Sequence, residues 1–352
     1  MPKTDIHWKN LPASSLQKDS QLLRAWDQLN AARGDLPFLA GDAIVSALKI
    51  LGDGSERLLV GYDGTRVVAM FLLNPLAKFQ WRTFQPSQLP VGAWVADAHL
   101  QLLAIARSLL RGPLRFCLGL SITQVDPHVA PRSDDTLDSV HTHYIDTAWL
   151  DIEGSFDEYW NARGKNLRQN MRKQRVKLLA DGVKLTMQVL RAHAEMAPAV
   201  ARYGSMESSG WKAQKGTAIH PDNAQGRYYR ELLEQASLRG EAVVYQYLFD
   251  DRVVAMNLCL LRQGTLVVLK TTYDESIQTY SPAFLLRENE LQEIYQEGQI
   301  KRMEYFGRLM EWHTKLTEKK RTIYHLTVYR WPFVKKLAEA RRRKSDTTIP
   351  SA

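Results

Sequence analysis

Arg66-Val67-Val68-Ala69-Met70 occurs a second time in this chain as Arg252-Val253-Val254-Ala255-Met256. The surroundings repeat with it. An apolar run at 58–62, a turn at Asp63-Gly64, the pentapeptide and Phe71-Leu72-Leu73 follow one another in the first copy. In the second, the run is Ala242–Phe249, the turn is Asp250-Asp251, and 257–261 continues the pentapeptide. Two β-rich runs around a short Asp/Gly turn predict a β-hairpin in each place. A helical pattern follows each hairpin, at 93–111 before Gly112-Pro113 and at Pro282–Glu297 before Gly298. A strand is expected next, at 114–120 and at 302–306. The shared order of hairpin, helix and strand predicts a duplicated α/β chain.

Working outward, the Pro-, Asp- and Ser-rich stretch 126–138 reads as a loop, and a helix opens at Ser155. This places one half at 1–150, a second at 151–335 and a basic mobile tail at 336–352. The 352 residues are 45% hydrophobic and 24% charged, enough for a large core without staples. The two cysteines, Cys117 and Cys259, sit in apolar runs and are expected in the core rather than in a disulfide. The first twenty residues lack the apolar segment of a secretory signal, and no apolar run reaches the roughly 20 residues that span a bilayer. A cytoplasmic protein is expected. A net charge of +9 favours polyanionic partners without choosing among nucleic acid, lipid surface and phosphate-rich substrate.

Ser155-Phe156-Asp157-Glu158 is a capping-box pattern, and Gly182 is a C-terminal stop, so one helix of about 26 residues is predicted. Phe156, Trp160, Leu167, Met171 and Leu178 recur at helical spacing as its buried stripe. Lys165, Arg168, Arg172, Lys173, Arg175 and Lys177 have no acid among them. Such a face is either a solvated surface or a grip for phosphates; Lys165, Arg168, Arg172 and Arg175 are the candidate anion-binding cations. Aromatic residues suited to base stacking are sparse on it.

Three stretches of the second half carry a family resemblance. They are 156–182 with its core Lys165-Asn166-Leu167-Arg168-Gln169-Asn170-Met171-Arg172-Lys173; Glu207-Ser208-Ser209-Gly210-Trp211-Lys212 with Gly216-Thr217-Ala218-Ile219; and Lys270-Thr271-Thr272-Tyr273-Asp274-Glu275 with Tyr280-Ser281-Pro282-Ala283-Phe284-Leu285-Leu286. In this order they resemble the CelD/BcsL-like acetyltransferases of the GNAT superfamily, which are associated with cellulose and exopolysaccharide production and related to the FemAB-type tandem transferases that use aminoacyl-tRNA. The resemblance covers about 151–330. It implies tandem GNAT-like domains with mixed sheets flanked by helices, the first half being a degenerate partner. The family usually has glycine where Ala283 stands.

That resemblance implies an acyl-CoA donor, acetyl-CoA or a longer ester, lying in a cleft between two parting parallel strands. Its pyrophosphate would meet amides at the start of the following helix. The strand 266–272, the loop 273–280 and Pro282 at the first helical position fit this, with Ser281 as a cap. No glycine stands between Thr271 and Glu297, so a glycine-rich phosphate loop is absent. Thr271, Thr272, Tyr280, Ser281, Ala283, Phe284 and Arg287 are the donor-binding candidates. Transfer to an amine needs a base, donors for the oxyanion and an acid for the thiolate. Glu207 is the candidate base, and Tyr273 or Tyr280 the acid. Lys270, a cation in an apolar strand, is expected to meet Asp274, Glu207 or a ligand. Trp211, Lys212, Asp274 and Lys315 are candidate substrate contacts. His128, His141, His143 and Asp146 lack persuasive ligand spacing, so no metal is expected.

The reading that follows is an acyl-CoA-dependent N-acyltransferase acting on an amino sugar or small amine of envelope or polysaccharide synthesis. Its rivals are a FemAB-like transferase using charged tRNA, and a non-catalytic scaffold held peripherally at an anionic membrane.

Overall fold

A computed structural model describes residues 6–208, 219–220 and 222–346. They fall into two compact units: the described residues up to Ile145 together with those from Thr322 onward, and Asp146–Arg321. No helix among the described residues is long and apolar enough to cross a membrane.

The first unit begins with β1 (His7–Pro12), α1 (Ser15–Lys18), α2 (Ser20–Ala32) and α3 (Gly41–Leu51). Asp19 caps α2 by accepting the amides of Gln21 and Leu22. The predicted hairpin follows as β2 (Arg57–Asp63) and β3 (Arg66–Ala77). Beyond it the structure differs from the sequence reading. The segment 93–111 is not one helix: β4 (Gln80–Thr83) and β5 (Trp94–Ala96) both pair with β3, and α4 covers only Leu102–Arg111. Trp94 is held in the sheet by stacking on Phe71 of β3, a cross-strand contact that outweighs local helical preference. The strand expected at 114–120 lies later, as β6 (Gly119–Val125), because parallel pairing with β4 begins only at Gly119. The stretch 126–138 is mostly irregular. Then β7 (Ser139–Asp151) runs across the boundary between the units.

The second unit contains α5 (Phe156–Asn161), α6 (Lys165–Ala180), β8 (Leu185–Leu190), α7 (His193–Ser208), α8 (Ala224–Ser237), β9 (Ala242–Phe249), β10 (Arg252–Arg262), β11 (Thr265–Tyr273), α9 (Pro282–Glu297), β12 (Arg302–Glu304) and α10 (Glu311–Thr314). Its strands are ordered β7-β12-β11-β10-β9-β8, with only β11–β12 parallel. The capping box of Ser155 and Glu158 forms. The helix it opens stops at Asn161, however, and Gly164 starts a second one, so the predicted 26-residue helix is two. Leu167, Met171 and Leu178 form the buried face of α6.

The chain closes with β13 (Lys320–Tyr329) and α11 (Pro332–Asp346). Most of β13 belongs with the first unit, not the second: it pairs with β6, and its alternate residues Tyr324, Leu326 and Val328 are buried in that unit's core. The stretch read as a tail from 336 is helical up to Asp346.

The repeat is visible residue by residue within each unit. The β2–β3 ladder skips Val68, and the β9–β10 ladder skips Val254, a β-bulge at the same place in the repeated pentapeptide. The Asp97 amide donates to the Val68 carbonyl at 2.8 Å, and the Asp274 amide to the Val254 carbonyl at 2.8 Å. Arg66 pairs with Asp97, and Arg252 with Asp274. Each aspartate also accepts the amide two residues on, from His99 or Ser276.

Candidate active site

The site grows from the way β11 leaves its neighbour. Parallel pairing with β12 joins Thr265–Val267 to Arg302–Glu304 and ends there, while β11 continues to Tyr273. The edge of β11 beyond Val267 is thus open. Asp274 caps a 3-10 turn, Glu275–Tyr280, and α9 starts at Pro282. Between them Ser281 sits at φ +54, a left-handed conformation that costs a non-glycine residue roughly 1–2 kcal/mol. The turn, though it has no glycine, therefore still makes the sharp reversal a glycine would make. Ser281 does not cap α9 with its side chain. Its hydroxyl lies 3.4 Å from the Asn170 amide of α6 instead. Pro282 fits the first helical position, where no amide is needed.

Met206, Glu207, Thr271, Thr272, Tyr273, Glu275, Gln278, Ser281, Pro282, Ala283, Phe284, Arg287, Met310 and Trp312 line a cleft of about 590 Å³ at this reversal. The cleft unites Glu207 and Tyr273 of the catalytic candidates with Thr271, Thr272, Ser281, Ala283, Phe284 and Arg287 of the donor candidates. Glu207, on α7, is buried, and its carboxylate accepts the Ile219 amide at 2.7 Å. The Tyr203 hydroxyl approaches it at 3.5 Å. Met206, Gln278, Met310 and Trp312 were not legible as site residues. Trp312 had a signal in Glu311-Trp312-His313, beside the selected Lys315.

Behind the cleft lies a buried polar group. The Arg287 guanidinium donates to the Thr271 hydroxyl at 3.0 Å and the Ala283 carbonyl at 3.1 Å, and lies 3.9 Å from the Trp312 ring. Glu290, one turn on, accepts the Asn257 side-chain amide at 2.7 Å. Burial pushes Glu290 up to about 7, against the lowering influence of Arg287 and Asn257. Burial first, and Arg287 second, hold His313 down to about 4, so this imidazole is neutral at physiological pH.

Other candidates stand outside the cleft lining. Lys270 lies over the Tyr229 ring at 5.5 Å, not beside Asp274. Asp274 is engaged by Arg252 and by the Ser276 amide and hydroxyl, which fixes the turn. Tyr280 packs edge-on against Phe249, with Lys177 at 4.9 Å over its ring. Lys315 bridges to Glu311 at 3.0 Å and lies 5.7 Å from the Phe284 ring, at the rim. Trp211 and Lys212 lie outside the described residues. On α6, Arg175 is tied to Glu288 at 2.6 Å, and Arg168 to the Arg163 carbonyl at 3.1 Å. Lys165 and Arg172 are exposed. His141 bonds to Asp135 at 2.8 Å in the first unit. No cluster of three or more His, Cys, Asp or Glu suited to a metal occurs among the described residues.

Comparison with known proteins bears on this site. Residues 165–314 match the family described as Acetyltransferase (GNAT) domain. No curated protein matches the chain. Among solved structures it is similar to the C-terminal domain (DUF2156) of a protein assigned as a lysylphosphatidylglycerol synthetase from Agrobacterium fabrum, with 13% identity, a TM-score of 0.50, and coverage of 84% of this chain and 91% of that one. It is also similar to FemX (10% identity, 80% and 90% coverage, TM-score 0.49). A tandem GNAT protein from the clavulanic acid biosynthesis pathway is similar too (13%, 92% and 99%, TM-score 0.45). At these identities the likeness concerns the fold alone. The matched segment contains β11, α9 and the cleft between them, and it supports an acyltransferase with the GNAT fold.

Proposed function

We propose that the chain is an acyl-CoA-dependent N-acyltransferase whose reaction takes place in the second unit. The observation that carries this is the cleft where β11 parts from β12, with Glu207 on one side and the start of α9 on another. The thioester would lie along Thr271 and Thr272, and the pyrophosphate at Ser281 and Ala283, where the helix dipole favours negative charge. Glu207 takes a proton from the acceptor amine as nitrogen attacks the thioester carbon. The tetrahedral centre then collapses, the carbon–sulfur bond breaks, and Tyr273 protonates the leaving thiolate. Resemblance to exopolysaccharide-associated acetyltransferases suggests an amino sugar or other small amine of envelope or polysaccharide synthesis as acceptor.

A second reading, transfer from aminoacyl-tRNA, draws on one observation. Asn170 and Lys177 bring α6 beside the 275–281 turn, and Lys165 and Arg172 of that helix are exposed. Thermal shift separates the readings. Acetyl-CoA or a longer acyl-CoA is expected to raise the melting temperature. A response to charged tRNA alone would select the second reading, and vesicle binding with no response to any donor would select a scaffold. Glu207→Gln is expected to lower kcat by about 10²–10⁴-fold with the donor shift intact; unchanged turnover removes Glu207 as the base.

A further inference from the structure

Arg287 is 4% exposed, yet it lines the cleft. It projects from the second turn of α9 and lies over the Trp312 ring, 3.9 Å from its centre. Its two hydrogen bonds go to neutral oxygens, the Thr271 hydroxyl and the Ala283 carbonyl. Its Nε–H has no partner. A guanidinium carries five N–H donors, so the others exceed what these two bonds use. Glu288, next along the helix, is tied to Arg175, and Glu290, one turn on, is bonded to Asn257 and acts on Arg287 only through space. A buried guanidinium with unused donors and no hydrogen-bonded counter-charge is costly. Proteins retain such a group in the wall of a cleft when a ligand supplies the missing charge.

Position narrows the ligand. The donor phosphates are assigned to Ser281 and Ala283, at the mouth of the helix. Arg287 instead meets β11 at Thr271, where the thioester and acceptor are assigned. The guanidinium lies over the Trp312 ring and lines the cleft, and its fork of N–H donors is the geometry that pairs with a planar two-oxygen anion. We propose that Arg287 receives a carboxylate carried by one of the two substrates, either the acceptor amine or the acyl group. This rests on the acyl-transfer reading and specifies its substrate class.

Matched pairs test it on the full chain. One arm compares amino acids, over a panel of side chains, with the amines left by their decarboxylation. The other compares succinyl-CoA with butyryl-CoA, which differ by the terminal carboxylate. Affinity is read by thermal shift, and kcat/KM is read where transfer occurs. The wild type is expected to favour the carboxylate member in one arm by about 10- to 100-fold, and the arm identifies the substrate that carries it. Arg287→Gln is expected to abolish that preference, lowering affinity for the carboxylate member at least ten-fold more than affinity for acetyl-CoA. Where circular dichroism finds Arg287→Gln unfolded, Arg287→Lys, which keeps the charge but not the fork, is expected to weaken the preference about five-fold. Equal binding within both kinds of pair overturns the proposal, as does a preference that survives both substitutions. A fall in acetyl-CoA affinity equal to the fall in preference also overturns it, by assigning Arg287 to the donor. If no CoA ester binds, acyl transfer fails as a reading, and the amino acid pairs still decide Arg287.

Discussion

At matched positions in the repeat, the two units hold different cross-strand pairs. Phe71 faces Trp94 in the first, and Asn257 faces Thr271 in the second. The surrounding pairs show that the positions correspond: Met70 with Val95 and Met256 with Thr272, then Ala69 with Ala96 and Ala255 with Tyr273. The first pair is a buried aromatic stack, with ring centroids 5.6 Å apart. The second is polar, with Asn257 bonded to Glu290 and Thr271 to Arg287. Each unit also has an arginine near this pair, used in opposite ways. Arg33 lies over Trp94 and donates to the carbonyls of Ala96, at 3.1 Å, and of Asp97 and Leu100, closing the loop that follows β5. Arg287 leaves the corresponding loop of the second unit lined as a cleft. Corresponding residues therefore fill a core in the first unit and line a cleft in the second.

The largest effect should come from writing the first unit's residue into the second. Thr271→Trp is expected to fill the cleft and abolish the acetyl-CoA thermal shift, with turnover below about 1% of wild type, while far-ultraviolet circular dichroism stays native. Retained donor binding would break the comparison. The reverse experiment is next in size. Trp94→Ala removes a stacked core side chain and should lower stability by about 3–5 kcal/mol in chemical denaturation, with transfer per folded molecule unchanged. A parallel loss of donor affinity would mean that the first unit is not merely a filled counterpart.

Glu290 supplies the smallest effect and a pH signature. Its carboxyl is pushed up to about 7 by burial, against about 4.3 in an unfolded chain. The native state therefore favours the protonated form. Its contribution to stability is complete below about pH 4, declines as pH rises towards 7, and is flat above, a change on the order of a few kcal/mol. Glu290→Gln should remove that slope and raise the melting temperature at pH 8. A slope that persists would assign it to other groups.

Much of this frame was readable from local pattern. The hairpins, the start of α9 at Pro282 and its stop at Gly298 follow from turn chemistry and periodicity that no distant contact opposes. The break between α5 and α6 was hidden because Trp160 and Leu167 are seven residues apart, so the apolar stripe keeps its phase across Gly164. Trp94 sits in a stretch with helical pattern, and only its partner Phe71, far back in the chain, makes it a strand residue. The cleft was half legible. Residues adjacent in sequence, Thr271 to Tyr273 and Ser281 to Phe284, were found together. Arg175 was read as an anion grip, but Glu288, remote in sequence, already holds it. Met310 and Trp312 reach the cleft from a segment too short to show a period, its one signal being the nearness of Trp312 to Lys315.

The return of β13 to the first unit has a consequence for how this protein is made. Residues 146–321 form the second unit as one unbroken stretch, whereas the first needs Tyr324, Leu326 and Val328 to complete its core. Domains usually fold in the order in which the ribosome releases them. Here the first unit must wait, its β6 edge unmatched, until β13 emerges after the whole second unit. The second unit, though later in sequence, can be the first to finish.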